Sequence, residues 1–151
     1  MDTTGDNTVK IRPYRPSDED AVIELWSQAS KLAHPFVNGE GEGAREAKMR
    51  DIYLVKADNW VAEIEEQQVV GLLGMLGTEI GGLFVSPQAQ RLGIGRQLVQ
   101  HATTLHAAVT LEVYELNGSA RRFYDVMGFV ETGRYTDAET DHVLIQLRLT
   151  I

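Results

Sequence analysis

Two glycines and two arginines stand together in the segment RLGIGR, residues 91–96. An apolar stripe with helical spacing begins inside this segment, at Ile94, Leu98, Ala102 and Leu105. The glycines therefore lie where a helix begins. A helix N-terminus has unpaired backbone N–H groups and a partial positive charge, and it binds phosphate oxygens well. Glycine lets a ligand approach the backbone closely and the two arginines can add charge, which indicates a site for a phosphorylated ligand.

The same glycines have an alternative explanation, since they could simply permit a tight turn from a strand into a helix. Two other phosphate-binding motifs fit the segment poorly. A dinucleotide-binding fingerprint needs a third glycine where Leu98 stands, and a P-loop needs a Gly-Lys-Ser/Thr sequence that does not follow here. The kind of ligand therefore has to be inferred from the rest of the chain.

Composition limits the possible functions. The chain has 151 residues, of which 43% are hydrophobic and 24% charged, as expected for one globular domain over residues 1–151. Its formal net charge of −8 argues against a nucleic-acid partner and would attract a cationic one, such as an amine. Without cysteine there is no disulfide framework and no thiolate chemistry. We expect a cytoplasmic protein with flexible residues 1–8, because no signal peptide or membrane-spanning run is recognisable.

The pattern of apolar residues predicts an α+β fold with a mixed sheet and the order β-α-α-β-β-β-α-β-α-β-β. Strands are predicted at residues 9–14, 59–65, 68–76, 79–87, 108–114, 129–135 and 142–150, and helices at 17–34, about 44–56, about 94–105 and 117–128. The strand–helix–strand unit from Leu83 to Tyr114 requires a right-handed crossover, so its two strands are parallel. The rest of the sheet is expected to be mostly antiparallel.

Two segments resemble the GCN5-related N-acetyltransferase (GNAT) family. QRLGIG, residues 90–95, is similar to the family's Gln/Arg-x-x-Gly-x-Gly/Ala loop, which binds the pyrophosphate of acetyl-coenzyme A (acetyl-CoA). NGSARRFYDVMGF, residues 117–129, is similar to the family's Asn-x-x-Ala-x-x-Phe-Tyr-x-x-x-Gly-Phe segment. The resemblance implies a GNAT-like acyl-CoA N-acyltransferase fold, with splayed parallel strands in a mainly antiparallel sheet. It also implies transfer of an acetyl group from acetyl-CoA to a primary amine.

The resemblance assigns cofactor binding to a strand, a loop and one asparagine. The free edge of the splayed strand would pair with the pantetheine amides, in the manner of β-augmentation, and the loop would hold the pyrophosphate. The strand residues are Leu83, Phe84 and Val85, and the loop residues are Arg91, Leu92, Gly93, Ile94, Gly95 and Arg96. Asn117 is similar to the family asparagine that contacts the pantetheine or orders water near it, and it is also a plain helix N-cap.

Acetyl transfer needs a neutral amine, a stabilised thioester oxygen and a proton for the leaving thiolate. Tyr124 resembles in position the family tyrosine that protonates the thiolate, and a phenol with a pKa of about 10 is protonated at neutral pH. Its alternative role is a core aromatic. Glu112 is the candidate base, because Glu112, Asn117 and Tyr124 reproduce the spacing of bacterial acetyltransferases that modify protein N-termini. Alternatively, Glu112 is a solvated strand residue and a water chain acts as the base.

The acceptor side is less defined. His34 and Phe36 lie between the first two helices, where relatives build the acceptor pocket, although His34 could simply be exposed. The acceptor could be a small molecule, a peptide N-terminus or a lysine, attacked directly without a covalent enzyme intermediate. We expect no metal or membrane partner, a monomer or homodimer, and solvent-facing His101 and His106. Transfer of a longer acyl group and a non-catalytic acyl-CoA sensor remain alternatives, and the presence of Tyr124 argues against the sensor.

Overall fold

The computed structural model describes residues 9–151, and the expected flexibility of residues 1–8 lies outside this range. Its strands form one sheet in the order β1-β2-β3-β4-β5-β7-β6. The strands are β1 (Lys10–Pro13), β2 (Asp58–Ile64), β3 (Gln68–Leu76), β4 (Glu79–Val85), β5 (Ala108–Tyr114), β6 (Val130–Asp137) and β7 (His142–Thr150). The helices are α1 (Glu19–Ala33), α2 (Gly43–Lys48), α3 (Leu54–Lys56), α4 (Ile94–Leu105) and α5 (Gly118–Met127). The predicted element order is confirmed.

The helix predicted at about residues 44–56 contains a wider turn in its middle. A π-helical turn, Met49–Tyr53, joins α2 to α3, and the backbone N–H of Leu54 donates to the carbonyl of Met49. Residues five apart lie closer to one face in such a turn than in a regular α-helix. Met49 and Leu54 are accordingly both buried against α1.

The sheet separates two apolar cores. On one face, α1 contributes Val22 and Trp26, which pack with Val61 and Leu72 of the central strands. On the other face, α4 and α5 cover the sheet through Ile94, Leu98 and Tyr124, and Phe129, which follows α5, packs in the same core. Every strand pair except β4–β5 is antiparallel, so the predicted mostly antiparallel sheet is confirmed. No helix in residues 9–151 is long and apolar enough to cross a membrane.

The parallel strands β4 and β5 separate soon after they meet. In the part of the chain that the structure describes, they pair only at Glu79 with Thr110 and at Ile80 with Leu111. Beyond this point β4 continues along β3 and β5 continues along β7. A wedge therefore opens between the two strands, and the splayed arrangement expected from the family resemblance is confirmed.

The prediction that His101 faces solvent is wrong. Its ring packs edge-on against Trp60 with centroids 4.3 Å apart. Its Nε2 atom is buried and has no hydrogen-bond partner among residues 9–151, and this burial lowers the pKa of His101. The physical reason is helical spacing, since His101 lies seven residues after Ile94 and therefore near the buried stripe of α4.

Candidate active site

The N-terminus of α4 follows the wedge strand β4 and carries the glycine pair. Gly93 is the N-cap of α4 and has a φ of +76°, a left-handed conformation that favours glycine. A Cβ atom on Gly93 would meet no heavy atom of the described residues within 4 Å, whereas one on Gly95 would touch the Phe123 ring at 3.4 Å. Gly93 therefore borders open space in front of the helix, whereas a side chain at Gly95 would lie in ordinary van der Waals contact with Phe123 of α5.

Positive charge surrounds this open space. Arg91 and Arg96 are exposed, and neither forms an ion pair with any side chain that the structure describes. The guanidinium groups and the unpaired N–H groups of the first α4 turn are therefore available to an anion. This is the arrangement that a pyrophosphate requires.

Asn117 and Tyr124 both belong to α5. Asn117 is the N-cap of this helix, and Tyr124 lies within it. The side-chain Oδ1 of Asn117 accepts a 3.2 Å hydrogen bond from the Ala120 backbone N–H, which caps α5 as predicted. Tyr124 is buried between the rings of Phe123 and Phe129, with centroid distances of 5.2 and 5.3 Å. Burial raises the pKa of Tyr124 well above its ordinary value, so its phenol keeps its proton throughout the physiological pH range.

Glu112 lies at the closed end of the wedge. It follows Leu111, the last β5 residue paired with β4, and it is exposed while its neighbour Val113 is buried. Its Oε1 accepts a 2.8 Å hydrogen bond from the Tyr135 hydroxyl, and this bond raises the pKa of Tyr135 to about 12. Burial, followed by the charge of Glu112, raises the pKa of Glu79. The two carboxylates therefore make this end of the wedge acidic.

A cleft of about 220 Å³ lies on the α1 side of the sheet, opposite α4 and α5. Its wall residues include Trp26, His34, Glu40, Met49, Phe84 and Tyr114. Phe84 belongs to the wedge strand β4, so the cleft and the wedge share one strand. The sequence-based expectation for His34 agrees with its position in the wall, whereas Phe36 lies behind the wall, with its ring 5.3 Å from the ring of Tyr114.

A buried carboxylate organises one end of the cleft. The Glu40 side chain is only 6% exposed. Its Oε2 contacts His34 Nδ1 at 2.7 Å, and its Oε1 accepts from Arg45 Nε at 2.9 Å. Burial by itself would raise the pKa of Glu40, but the hydrogen bonds from His34 and Arg45 outweigh it and hold the pKa below its ordinary value. Glu40 is therefore a fixed negative charge at neutral pH.

Arg45 extends this cluster across the mouth of the cleft. Its Nη1 atom donates to Glu139 Oε1 at 2.9 Å, and Lys48 contacts the other Glu139 oxygen at 3.4 Å. Glu139 lies between β6 and β7, so these ion pairs connect α2 to the end of the sheet. Glu40, Arg45 and Tyr114 are site residues that the sequence reasoning missed, because no motif marks them.

The chain is similar to known acetyltransferases over most of its length. The family model described as an acetyltransferase (GNAT) domain matches residues 56–131. The peptidyl-lysine N-acetyltransferase YiaC of Escherichia coli K12 is 36% identical over 120 residues, or 79% of this chain and 82% of that protein. The peptidyl-lysine N-acetyltransferase YjaB of Salmonella typhimurium LT2 is 33% identical over 126 residues, or 83% of this chain and 86% of that protein.

A solved structure supports the same relationship. The solution structure of apo-form YjaB from Escherichia coli has a TM-score of 0.78 and 29% sequence identity, and the match covers 93% of this chain and 97% of that one. The α+β fold with its splayed strands, the family match over half of the chain and the similarity to YiaC agree with one another. The chain therefore belongs to the GNAT family of acetyltransferases.

Proposed function

We propose that this GNAT acetyltransferase moves the acetyl group of acetyl-CoA to the side-chain amine of a lysine in a peptide or protein. The observation that carries this proposal is the position of β4 between the wedge and the cleft. Its free edge at Leu83, Phe84 and Val85 borders the wedge, while the Phe84 side chain lines the cleft. A thioester held in the wedge would face an amine that enters through the cleft.

The cleft chemistry suits a lysine. A lysine side chain is an apolar stem with a cationic end, and the aromatic rings of Trp26, Phe84 and Tyr114 offer contacts to the stem. The net charge of −8 attracts cationic segments of a substrate. The similar proteins YiaC and YjaB are named as peptidyl-lysine N-acetyltransferases, which favours this acceptor over a small amine or a peptide N-terminus.

Acetyl-CoA would bind along the wedge. Its pantetheine would pair with the β4 edge and lie near Asn117, and its pyrophosphate would lie on residues 91–96 at the α4 terminus. The amine nitrogen attacks the thioester carbon directly, the C–S bond breaks, and Tyr124 donates to the leaving sulfur. Glu112 is the base predicted from sequence. Cytoplasmic location, a monomer or homodimer, and the absence of metal, membrane and nucleic-acid partners stay predictions.

The experiment is an acceptor panel with acetyl-CoA, read as free CoA thiol and as mass of the acceptor. The panel contains a peptide with one lysine and a blocked N-terminus, the same peptide with arginine in place of lysine, a lysine-free peptide with a free N-terminus, and a small diamine. We expect turnover with the lysine peptide and none with its arginine counterpart. Turnover confined to another acceptor, or binding of acetyl-CoA without any turnover, would contradict the proposal, and the second result would indicate a sensor. Faster turnover with a longer acyl-CoA would contradict the assignment of acetyl as the transferred group.

Gly93→Val is predicted to weaken acetyl-CoA binding about 10- to 100-fold, the loss expected for one or two charge-assisted hydrogen bonds. The new side chain would occupy the open space in front of α4, where a pyrophosphate would lie. Calorimetric titration with acetyl-CoA measures the change.

Gly77→Val is the matched control for strain. Gly77 also has a left-handed φ, +62°, and a Cβ there would also meet no described atom within 4 Å, but it lies in the β3–β4 turn. Both variants should lose similar stability, since a left-handed conformation costs about 1–2 kcal/mol with a side chain. Wild-type affinity in a folded Gly93→Val variant would show that the pyrophosphate binds elsewhere.

A further inference from the structure

We propose that His34 is the general base of the acetyl transfer and that Glu40 is its positioning residue. The inference rests on the proposed function for its substrate, but the protonation of His34 on which it depends is a property of this chain alone. His34 lies at the end of α1 and lines the cleft beside Phe84. Its two ring nitrogens face different groups, and each of these groups independently indicates where the ring proton lies.

The contact with Asn117 indicates whether His34 Nε2 carries a proton. The Oδ1 atom of Asn117 is occupied as the acceptor of the α5 cap, so its amide nitrogen must be the atom that faces His34. This Nδ2 atom lies 3.5 Å from His34 Nε2, at the long limit for a hydrogen bond. An amide nitrogen only donates, and a protonated Nε2 would set two donors against each other. Nε2 therefore carries a lone pair.

The contact with Glu40 indicates whether His34 Nδ1 carries a proton. A carboxylate only accepts, and its Oε2 lies 2.7 Å from Nδ1, so Nδ1 carries the ring proton. Both sides thus give the same neutral tautomer, with the proton on Nδ1 and the lone pair of Nε2 directed away from the carboxylate. A carboxylate that orients a histidine in this manner also stabilises the imidazolium that forms when Nε2 accepts a proton.

The charges around His34 balance before the reaction. Glu40 in the loop faces Nδ1, Arg45 from α2 neutralises Glu40, and the ring of Tyr114 on β5 packs edge-on against His34 at 4.9 Å. The nearby charges of Lys48 and Glu139 pair with each other. The His34 side chain is 16% exposed, so it is partly shielded from water and still open to the cleft.

Glu112 is less suited to this step than His34. Its carboxylate is exposed, and it is not among the residues that line the cleft. A lysine that enters the cleft would therefore meet His34 in the cleft wall, and its nitrogen would replace Asn117 Nδ2, which lies 3.5 Å away, as the partner of the Nε2 lone pair.

The protons balance as follows. A lysine is largely protonated at neutral pH, so the ammonium first releases one proton to water. The neutral nitrogen then attacks the thioester carbon. As the tetrahedral intermediate collapses, the C–S bond breaks, His34 Nε2 takes the second proton of the nitrogen, and Tyr124 gives its proton to the sulfur and regains one from His34 through water. The products are one acetylated lysine, one CoA thiol and one proton in solution.

The first test reads the tautomer in the wild-type protein by ¹H–¹⁵N NMR of the histidine side chains at pH 8. We expect His34 to be protonated at Nδ1 and unprotonated at Nε2, and His34→Gln assigns its signals. A proton on Nε2 would overturn the proposal whatever the acceptor is. This readout needs no substrate, so it separates a failure of the base assignment from a failure of the lysine assignment.

The second test is the dependence of log kcat/KM on pH from 5.5 to 8.5, with the single-lysine peptide and saturating acetyl-CoA. Two protons must be lost for activity, one from the histidine and one from the amine, so the wild-type slope should be two at low pH and one above a bend. His34→Gln should show a slope of one throughout and a kcat/KM lower by about 10²–10⁴-fold at pH 8, the usual contribution of a general base.

Glu40→Gln tests the positioning role. In this variant the bend in the plot of log kcat/KM against pH should move to lower pH, because the imidazolium loses its negative partner and forms less readily. A purely structural role of Glu40 would lower activity without moving the bend.

His106→Gln is the matched control, since His106 lies at the end of α4 outside the cleft, and it should keep both slopes. A bend that persists in His34→Gln and disappears in Glu112→Gln would overturn the proposal. Melting temperature and acetyl-CoA affinity, measured for each variant, identify folding defects.

Discussion

Tyr124→Phe is expected to lower kcat by about 10²–10⁴-fold, the usual contribution of a general acid, while the affinity for acetyl-CoA barely changes. The substitution keeps the ring that packs between Phe123 and Phe129 and removes only the hydroxyl donor. That donor stabilises charge that develops on the leaving sulfur, so its loss affects the transition state and not the bound ground state. Steady-state kinetics and calorimetric binding separate the two effects.

Tyr14→Phe is the matched control for this prediction. Tyr14 is a partly buried tyrosine whose pKa, like that of Tyr124, is raised first by burial, but it packs against the α1 core. The loss of the Tyr14 hydroxyl should leave kcat unchanged. Near-normal kcat in Tyr124→Phe, with chemistry shown to limit the rate, would reduce Tyr124 to a packed aromatic residue.

Arg12→Met is expected to lower the free energy of unfolding by about 3–5 kcal/mol, the usual cost of removing one partner from a buried ion pair. Arg12 donates to Asp18 at 2.9 Å and to Glu63 at 3.0 Å, and its side chain is 11% exposed. Methionine would fill much of the space but leave two nearly buried carboxylates without their cation. Urea unfolding at pH 7 measures the loss.

The pH dependence of this variant should have the opposite sign to that of the wild type. The hydrogen bond from Arg12 lowers the pKa of Asp18 from its ordinary 3.8, so the wild type loses this stabilisation as the pH falls below about 4. In Arg12→Met the hydrogen bond from Arg12 no longer offsets the burial of Asp18, so burial raises the pKa of Asp18 in the folded state. The variant should therefore gain stability between pH 7 and pH 5.

Arg134→Met provides the comparison with an exposed arginine. Arg134 also contacts two carboxylates, those of Glu115 and Glu131, but its side chain is 42% exposed. Its loss should cost no more than about 1 kcal/mol, as is typical of surface ion pairs. If Arg12→Met and Arg134→Met lowered the free energy of unfolding equally, burial would not determine the strength of the Arg12 cluster.

The fold was largely predictable because its local patterns agree with its tertiary structure. The alternating strands, the apolar stripe of α4 and the Asn117 cap each indicate the element that forms. The crossover rule determined the direction of β5 relative to β4. Only the resemblance indicated that these strands splay, since a local pattern does not report the distance between neighbouring strands.

Two details of the fold were not predicted, and both have physical causes. The helix predicted at about residues 44–56 forms, but its π turn at Met49–Tyr53 leaves no trace in a pattern with a period of 3.6 residues. His101 is placed on a buried stripe by spacing alone, but its polarity favoured the surface. Tertiary packing against Trp60 outweighed the preference of histidine for water.

The candidate site was predictable where chemistry is local and not where it is assembled by the fold. The loop at Gly93 and the cap at Asn117 are short motifs, and they lie at the helix ends as expected. Glu40 and Glu42 are two residues apart in a loop, and nothing in the sequence shows that only Glu40 is buried. Its burial depends on Arg45 and His34, which reach it from two different elements.

The separation of β4 from β5 divides the sheet into two units that are joined by two residue pairs. An acetyl-CoA molecule that pairs with the β4 edge and contacts α5 would act as a removable strand between them. Amide hydrogen exchange in the units β1–β4 and β5–β7–β6 should then become correlated when the cosubstrate is bound. At a concentration of one hundred times Kd the bound molecule would add about 2.7 kcal/mol to the stability of the native state. The cosubstrate would thus also determine how cooperatively this protein unfolds.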